Sequence, residues 1–291
     1  MKYVQFRVND DKDDLPDIRL GYLDDEDNVV DLSCQQECGM PTKMLHVLKA
    51  GMGDKFSYIA MKNTIPLSCV TLVAPIYGVD KILGVALNFA DYCKEINAPP
   101  PAIPMIFSKY SSTIIGPNQP LRIRTEVCKK VDWEVELAVV IGRKASSVKA
   151  AHADKYIFGY TIAQDITDRE WQKEKNGAQF LLGKSQDTFC PIGPCIVTRD
   201  EIGDVTKLDM SCSINGVEKQ NGNTKNLIHS IPSIIERIST VMTLFPGDLI
   251  LTGTPAGVGA NLNPQEFLKP GDVIRSEIQN IGVLETRVEQ F

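Results

Sequence analysis

The sequence predicts an α+β protein with a small N-terminal α+β domain over residues 1–75 and a larger domain over residues 76–291, built of mixed β-sheets or a β-roll with few helices. Two observations carry this prediction. Beyond residue 80, short β-branched runs alternate with Gly, Pro and Asn turns, which is typical of many short strands. Before residue 76, three strand-like runs precede a single helical pattern.

The N-terminal elements are short. YVQFRV, RLGYLD and NVVDLS predict strands, and TKMLHVLKAG predicts an amphipathic helix that ends at Gly51. VTLVAPI, residues 70–76, leads out of this unit. We expect residues 1–75 to pack against the larger domain or to support a dimer.

The larger domain is mostly strands. They are predicted in KILGVALNF, IIGPNQPLRI, WEVELAVVIGR, KYIFGYTIAQD, KLDMSCSINGVEKQ, GDLILTGTP, GDVIRSEI and GVLETRVEQ. The clearest later helix is SIPSIIERISTVMTL, whose apolar residues recur at helical spacing.

Composition excludes several classes of protein. Of 291 residues, 43% are hydrophobic and 23% charged, and no apolar run approaches the ~18–20 residues of a membrane span. With a net charge of −6 and no dense Lys/Arg stretch, nucleic-acid binding is not expected. The first residues show neither an apolar signal core nor a presequence pattern, so a cytoplasmic location is expected.

Cysteine and histidine usage limits the kinds of metal site. Eight cysteines include no Cys-x-x-Cys pair, and we expect them to be reduced. The three histidines are far apart in the sequence. Any metal is therefore expected on oxygen ligands, which suits Mg²⁺, Mn²⁺ or Ca²⁺.

VDWEVELAVVIG is the most informative segment. Strand alternation places Glu134 and Glu136 on one face, while apolar residues on both faces beyond them predict a strand buried on both sides. Two neighbouring buried carboxylates repel each other, and a bound cation relieves that repulsion. The alternative is a strand end with two solvated glutamates.

KYIFGYTIAQDITDREWQ places Asp165 at the end of an apolar strand, where it could complete a three-carboxylate site. Thr167 and Glu170 have the spacing of a capping box that starts a helix. The alternative for Asp165 is a turn aspartate bonded to nearby backbone N–H groups.

Three further segments offer polar groups. Lys184, in FLLGKSQDTFCPIGP, could stabilise negative charge in a cleft or act as an acid or base if its pKa were lowered. FPGDLILTGTPAGVG lacks the ending of a phosphate-binding loop, but Thr254 and its neighbouring N–H groups could bind a carboxylate. Tyr92 and Glu95 lie three apart, so one helical turn places them on one face. The alternatives are a solvated lysine, a plain connection and a surface helix.

These five segments, in this order, resemble the fumarylacetoacetate hydrolase family over roughly residues 79–290, and most closely its eukaryotic domain-containing branch. The resemblance implies a β-rich catalytic fold, usually a homodimer, that binds Mg²⁺ or Mn²⁺. It implies metal ligands at Glu134, Glu136 and Asp165, an active-site Lys184 and a substrate-contacting Thr254.

Family substrates are small 2-oxo or β-dicarbonyl acids. Chelation of such an acid by a hard cation lowers the cost of its enolate, which serves C–C hydrolysis, decarboxylation and keto–enol exchange alike. Lys184 and donors near Thr254 would add electrostatic support.

The chain departs from the family pattern at one position. Hydrolytic members carry a His that works with a Glu three residues later to activate water; here Tyr92 occupies the His position and Glu95 remains. A phenol of pKa ~10 is a poor base near neutrality compared with imidazole at ~6.5. We therefore expect an oxaloacetate tautomerase, or an acylpyruvate hydrolase or decarboxylase of altered activity, in which Lys184, Tyr92 or Glu95 moves protons. The alternative is a non-catalytic protein that binds a small molecule.

Overall fold

The computed structural model describes residues 1–9, 17–26, 28–32, 41–53 and 64–291. Over these residues the chain forms many short strands and few helices, and this confirms the predicted β-rich α+β class. Cys34 and Cys38, two of the eight cysteines, lie outside the described residues.

The strands are β1 Lys2–Val8, β2 Arg19–Leu23, β3 Asn28–Asp31, β4 Thr64–Pro66, β5 Val70–Val73, β6 Ile82–Ala86, β7 Met105–Lys109, β8 Ile114–Ile115, β9 Leu121–Ile123, β10 Val131–Asp132, β11 Val135–Ile141, β12 Ile157–Gln164, β13 Thr167–Asp168, β14 Cys190–Thr198, β15 Asp209–Ile214, β16 Val217–Asn223, β17 Leu249–Leu251, β18 Val273–Ile278 and β19 Gly282–Gln290. The helices are α1 Met44–Lys49, α2 Ala90–Glu95, α3 Arg169–Lys173, α4 Leu181–Lys184, α5 Arg199–Ile202 and α6 Ile231–Val241.

A large mixed sheet forms the centre of the described structure. Its strands follow the order β4-β3-β2-β1-β14-β12-β11-β17-β6-β7, with β5 on β1 and β8 on β14. A second sheet follows the order β16-β15-β18-β19-β9. The N-terminal strands join the large sheet where β1 pairs antiparallel with β14. The division at residue 75 stays a prediction.

Strand β11 explains why the large sheet has a core on both faces. All seven of its residues are buried. Leu137 and Val139 belong to one apolar cluster, whereas Ala138 and Val140 belong to another. Because successive side chains of a strand point to opposite faces, the sheet separates the two clusters. This confirms the predicted burial on both sides.

Two predicted helices form as the sequence indicates. Ser230 caps α6 by accepting from the N–H of Ser233, and Pro232 lies in its first turn, where a missing N–H costs nothing. Gly51 follows α1 with a φ of +66°, the left-handed conformation that favours glycine. Among the described helices, none is both long and apolar enough to cross a membrane.

The predicted capping box is wrong by one residue. The cap of α3 is Asp168, whose carboxylate accepts from the N–H groups of Glu170 and Trp171. Thr167 instead belongs to β13, which pairs with β10. Its hydroxyl bonds to the carbonyl of Asp165 at 2.8 Å and so faces the site described below.

Candidate active site

Three buried carboxylates converge at one end of the paired strands β11 and β12. Glu136 lies within β11, Glu134 precedes it, and Asp165 follows β12. The backbone N–H of Asp165 donates to the carbonyl of Glu134 at 2.9 Å, which fixes the two chain segments side by side. One oxygen from each carboxylate lies within 4.8 Å of the other two. The structure therefore brings Asp165 to Glu134 and Glu136, which lie 31 and 29 positions earlier in the sequence.

Glu136 is the carboxylate of the three whose negative charge has the least compensation from nearby positive charges. It is 2% exposed, and the backbone N–H of Gly253 donates to it at 2.6 Å. In the part of the chain that the structure describes, no cation forms an ion pair with it. Burial, together with the charges of Asp165 and Glu134, raises its pKa well above the ordinary value.

Lys184 forms the centre of the buried charge network. It ends α4, and its ammonium donates to Asp165 at 2.5 Å, to Thr167 at 2.7 Å and to Glu134 at 3.1 Å. Burial disfavours the charged amine, but the carboxylates of Asp165 and Glu134 outweigh it and raise its pKa. The structure thus favours a charged Lys184, and the possibility of a lowered pKa is not supported. All three of its N–H donors are occupied.

Lys109 was not identified from the sequence. It ends β7, its side chain is fully buried, and its ammonium lies 2.8 Å from Asp165 Oδ1. It also donates to the carbonyls of Ile166, at 3.1 Å, and Lys184. The ammonium groups of Lys109 and Lys184 hold the pKa of Asp165 below its ordinary value, even though burial acts in the opposite direction. A lone lysine at the end of the run PMIF was the only signal for it.

Arg169 was also missed. Its guanidinium forms ion pairs with Glu134 at 2.6 Å and with Asp132 at 2.8 Å, and both carboxylates are buried. Asp132 in turn accepts from the N–H groups of Gly259, at 2.7 Å, and Ala260, at 3.0 Å. Arg169 is the first residue of α3, four positions after Asp165, in a segment that the sequence analysis interpreted only as the start of a helix.

The loop after β17 supplies backbone donors and Thr254. Gly253 has a φ of +108°, and this conformation turns its N–H toward Glu136. The hydroxyl of Thr254 donates to the carbonyl of Val135 at 2.9 Å and accepts from Gln220 at 2.8 Å. Because Gln220 also accepts from the N–H of Val135 at 3.0 Å, these bonds tie the loop to β11.

Helix α2 places Tyr92 and Glu95 differently. Tyr92 is half-buried and lines the cavity beside the carboxylates; burial raises its pKa. Glu95 is exposed and accepts from the N–H of Gly257 at 2.9 Å and from the side chain of Asn261 at 2.6 Å. The structure thus brings Tyr92 to the cavity, whereas Glu95 holds the loop. The catalytic roles of both stay predictions.

The cavity joins these groups. It has a volume of about 180 Å³, which suits a small metabolite. Its charged and polar lining comes from Glu134, Glu136, Lys184, Arg169, Gln172, Lys173, Tyr92 and Thr254. Its apolar lining includes Ile96, Met105, Phe107 and Phe180. The ammonium of Lys184 lies 4.7 Å from the centroid of the Phe107 ring, in a cation–π arrangement.

The donor set fits a hard divalent cation. All three ligands are carboxylate oxygens, which Mg²⁺, Mn²⁺ and Ca²⁺ prefer. A cation among them would also remove the repulsion that raises the pKa of Glu136. The residues that would hold it are Glu134, Glu136 and Asp165.

Comparison with known sequences gives a consistent picture. The sequence model of the fumarylacetoacetate (FAA) hydrolase C-terminal family matches residues 81–289. A Xenopus laevis protein named oxaloacetate tautomerase fahd2, mitochondrial, is 41% identical over 99% of this chain and 90% of its own length. A human protein named oxaloacetate tautomerase FAHD2A, mitochondrial, is 45% identical over 86% of this chain and 80% of its own.

A solved structure has the same fold. Maleylpyruvate hydrolase from Sphingobium sp. SYK-6, crystallised with a manganese(II) ion and pyruvate, superposes with a TM-score of 0.79. It is 29% identical, and the match covers 100% of this chain and 99% of that one.

The expectation of a cytoplasmic location is wrong. The two tautomerase relatives described above are both named mitochondrial proteins. The expectation rested on the lack of a recognisable leader in the first residues, and such a lack does not decide the compartment.

Proposed function

Because the chain belongs to the fumarylacetoacetate hydrolase family, we propose that it is a metal-dependent oxaloacetate tautomerase, an enzyme that exchanges the enol and keto forms of a small 2-oxo acid. The observation that carries the proposal is the convergence of Glu134, Glu136 and Asp165 beside a cavity that also contains Lys184. Relatives named oxaloacetate tautomerases, identical at 41% and 45%, support the choice of substrate.

The three carboxylates are proposed to hold Mg²⁺, with Mn²⁺ or Ca²⁺ as substitutes. When bound, the cation would polarise the 2-oxo group and stabilise negative charge on its oxygen. The relative crystallised with manganese and pyruvate supports an ion of this class next to a 2-oxo acid. The metal content of the purified protein, measured by elemental analysis, tests this part.

Lys184 is proposed to stabilise the enolate oxygen electrostatically. It can donate to a substrate only by releasing one of its three present acceptors, Asp165, Glu134 or Thr167. A cation on the carboxylates would replace the positive charge that Lys184 supplies to them here, so that one N–H becomes available. Thr254 and Arg169 would position the acid within the cavity.

Tyr92 is proposed to deliver the proton to carbon. Exchange from enol to keto form removes a proton from the C2 hydroxyl, which water accepts, and adds one to C3. A neutral phenol facing the cavity can give that proton and regain one from water. Glu95 is proposed to act by holding the loop through Gly257 and Asn261. This assignment needs no activated water, and it therefore favours tautomerisation over hydrolysis.

Three assays with Mg²⁺ test the function: oxaloacetate enol–keto exchange followed by absorbance, oxaloacetate decarboxylation and acylpyruvate cleavage. We expect acceleration of the exchange and little of the other two. Acceleration of cleavage alone would replace the tautomerase by a hydrolase. A protein inert in all three assays, but stabilised by a 2-oxo acid, would be the non-catalytic binding protein.

The assembly is proposed to be a homodimer. Strand β7 is an edge of the large sheet, and its Met105 and Ile106 are 45% and 36% exposed. An apolar edge strand with unpaired backbone groups is favourable for pairing with a second copy. Light scattering coupled to size-exclusion chromatography tests this; a monomeric mass of 32.2 kDa would contradict it.

A further inference from the structure

We infer that Lys173 is a specificity-determining residue, which binds the distal carboxylate of a 2-oxo dicarboxylic acid at the mouth of the cavity. The inference rests on the proposed function and deepens it. The structural basis is the position of Lys173 at the end of α3, next to Gln172, as part of the lining of the cavity that contains Glu134 and Glu136.

Lys173 differs from the other cations of the site in having no partner. Lys184 and Arg169, which also line the cavity, form ion pairs with buried carboxylates. Lys109, which does not line the cavity, forms one as well. Within the described ranges, the side chain of Lys173 forms neither an ion pair nor a hydrogen bond. Lys173 is an exposed residue, and its ammonium can bind an anion without first releasing one.

The charge of the site supports this role. Asp132, Glu134 and Asp165 pair with the three buried cations Lys109, Lys184 and Arg169, and Glu136 lies beside them without an ion pair. With all four carboxylates ionised, the cluster therefore has one net negative charge. A divalent cation would give one net positive charge. A dianionic acid then adds two negative charges, and one of them has no counterpart among the buried groups. Lys173 supplies the missing positive charge at the rim of the cavity.

Position agrees with the chemistry of the substrate. The 2-oxo end of the acid belongs near the three carboxylates, where the cation would lie, and the other end must point toward the cavity mouth. The other exposed members of the lining, Ile96 and Met105, are apolar and do not solvate a carboxylate. Lys173 therefore selects a dicarboxylic acid over an acid with an uncharged tail.

A matched pair of ligands isolates the distal group, because oxaloacetate is pyruvate bearing one additional carboxylate. We expect Lys173→Gln to raise the KM for oxaloacetate in the exchange assay about 1.5- to 5-fold, the range of an exposed ion pair, with kcat unchanged. The inhibition constant of pyruvate should not change. Lys173→Glu should raise the KM further, and the effect should shrink at high salt because an exposed pair is screened.

Lys175→Gln is the control. Lys175 is also an exposed lysine just after α3, but it pairs with Glu170 at 2.7 Å and does not line the cavity. Equal effects of the two substitutions, or an equal loss for pyruvate and oxaloacetate, would overturn the inference, as would an unchanged KM in Lys173→Gln. A wild-type protein that does not accelerate oxaloacetate exchange overturns the proposed function and this inference together, whereas the other outcomes concern Lys173 alone.

Discussion

The ammonium of Lys184 lies 2.5 Å from Asp165 Oδ2, although the two residues are 19 positions apart and both are buried. The positive charge of Lys184 therefore compensates the same carboxylates that a bound cation would compensate. If the carboxylates hold a cation as proposed, the stability of the protein, its metal binding and its activity depend on the same few atoms, and the predictions below separate these quantities.

Lys184→Gln is expected to destabilise the metal-free protein by about 3–5 kcal/mol, because it leaves Asp165 and Glu134 buried with less positive charge. Mg²⁺ should then raise the melting temperature more in the variant than in the wild type. Thermal unfolding with and without Mg²⁺ measures both effects. An equal Mg²⁺ shift in the two proteins would contradict the shared role.

Glu136→Gln is expected to weaken Mg²⁺ binding by a factor on the order of 10² and to abolish turnover, since it removes one ligand charge. The amide oxygen can still accept from Gly253, so the loop should stay in place. Titration calorimetry measures the affinity. Glu277→Gln, at an exposed glutamate paired with Arg275, is the control and should change neither quantity. Retained turnover in Glu136→Gln would remove that residue from the site.

Tyr92→His is expected to gain acylpyruvate cleavage, because an imidazole beside the cavity can act as a base near neutral pH. A general base contributes about 10²–10⁴-fold, which sets the scale of the gain. Tyr92→Phe is the matched control: it removes the hydroxyl without adding a base, and should lower the rate of oxaloacetate exchange without producing cleavage. A full exchange rate in Tyr92→Phe would exclude the phenol as proton donor.

Asp132→Ala is expected to lower the free energy of unfolding by about 3–5 kcal/mol. The carboxylate is fully buried, pairs with Arg169 and accepts from the N–H groups of Gly259 and Ala260, so its loss leaves several groups without a partner. Urea denaturation measures this. Asp187→Ala breaks an exposed pair with Arg124 and should cost less than about 1 kcal/mol. Similar losses would show that burial is not the deciding factor.

The buried thiols are expected to resist alkylation at pH 8. Burial raises the pKa of Cys128 to about 11 and those of Cys190, Cys195 and Cys212 to about 12, so the reactive thiolate is scarce. Cys69 is exposed and should react with iodoacetamide. Peptide mass spectrometry of native and denatured protein distinguishes them. Labelling of Cys128, Cys190, Cys195 and Cys212 at the rate of Cys69 would contradict the prediction.

The same thiols give a pH dependence of stability. Between about pH 9 and pH 12, the unfolded chain loses thiol protons that the folded chain keeps, so the unfolded state binds fewer protons. The free energy of unfolding should therefore fall as the pH rises through this range, and the stabilisation should be complete below pH 9. Urea denaturation at pH 8 and pH 10.5 measures the difference.

The sequence by itself determined most of the strands, although not β7 or β14, the burial of β11 on both faces, the end of α1 and the start of α6. These features depend on local periodicity, on Gly51 and on the capping Ser230, all of which act over a few residues. The sequence also indicated Glu134, Glu136 and Asp165, through their positions at the ends of two apolar strands and through the resemblance to a known family.

Only the tertiary structure decided which charges meet. The antiparallel pairing of β11 with β12 sets Asp165 beside Glu134. The edge strand β7 brings Lys109, which lies 56 positions earlier in the sequence, to Asp165. The tertiary structure also gave the two residues on the turn of α2 different contacts, since Tyr92 lines the cavity and Glu95 accepts from the N–H of Gly257. The reason is physical: strand pairing and burial act between distant segments, and the free energy of a buried charge depends on the partners that those segments supply.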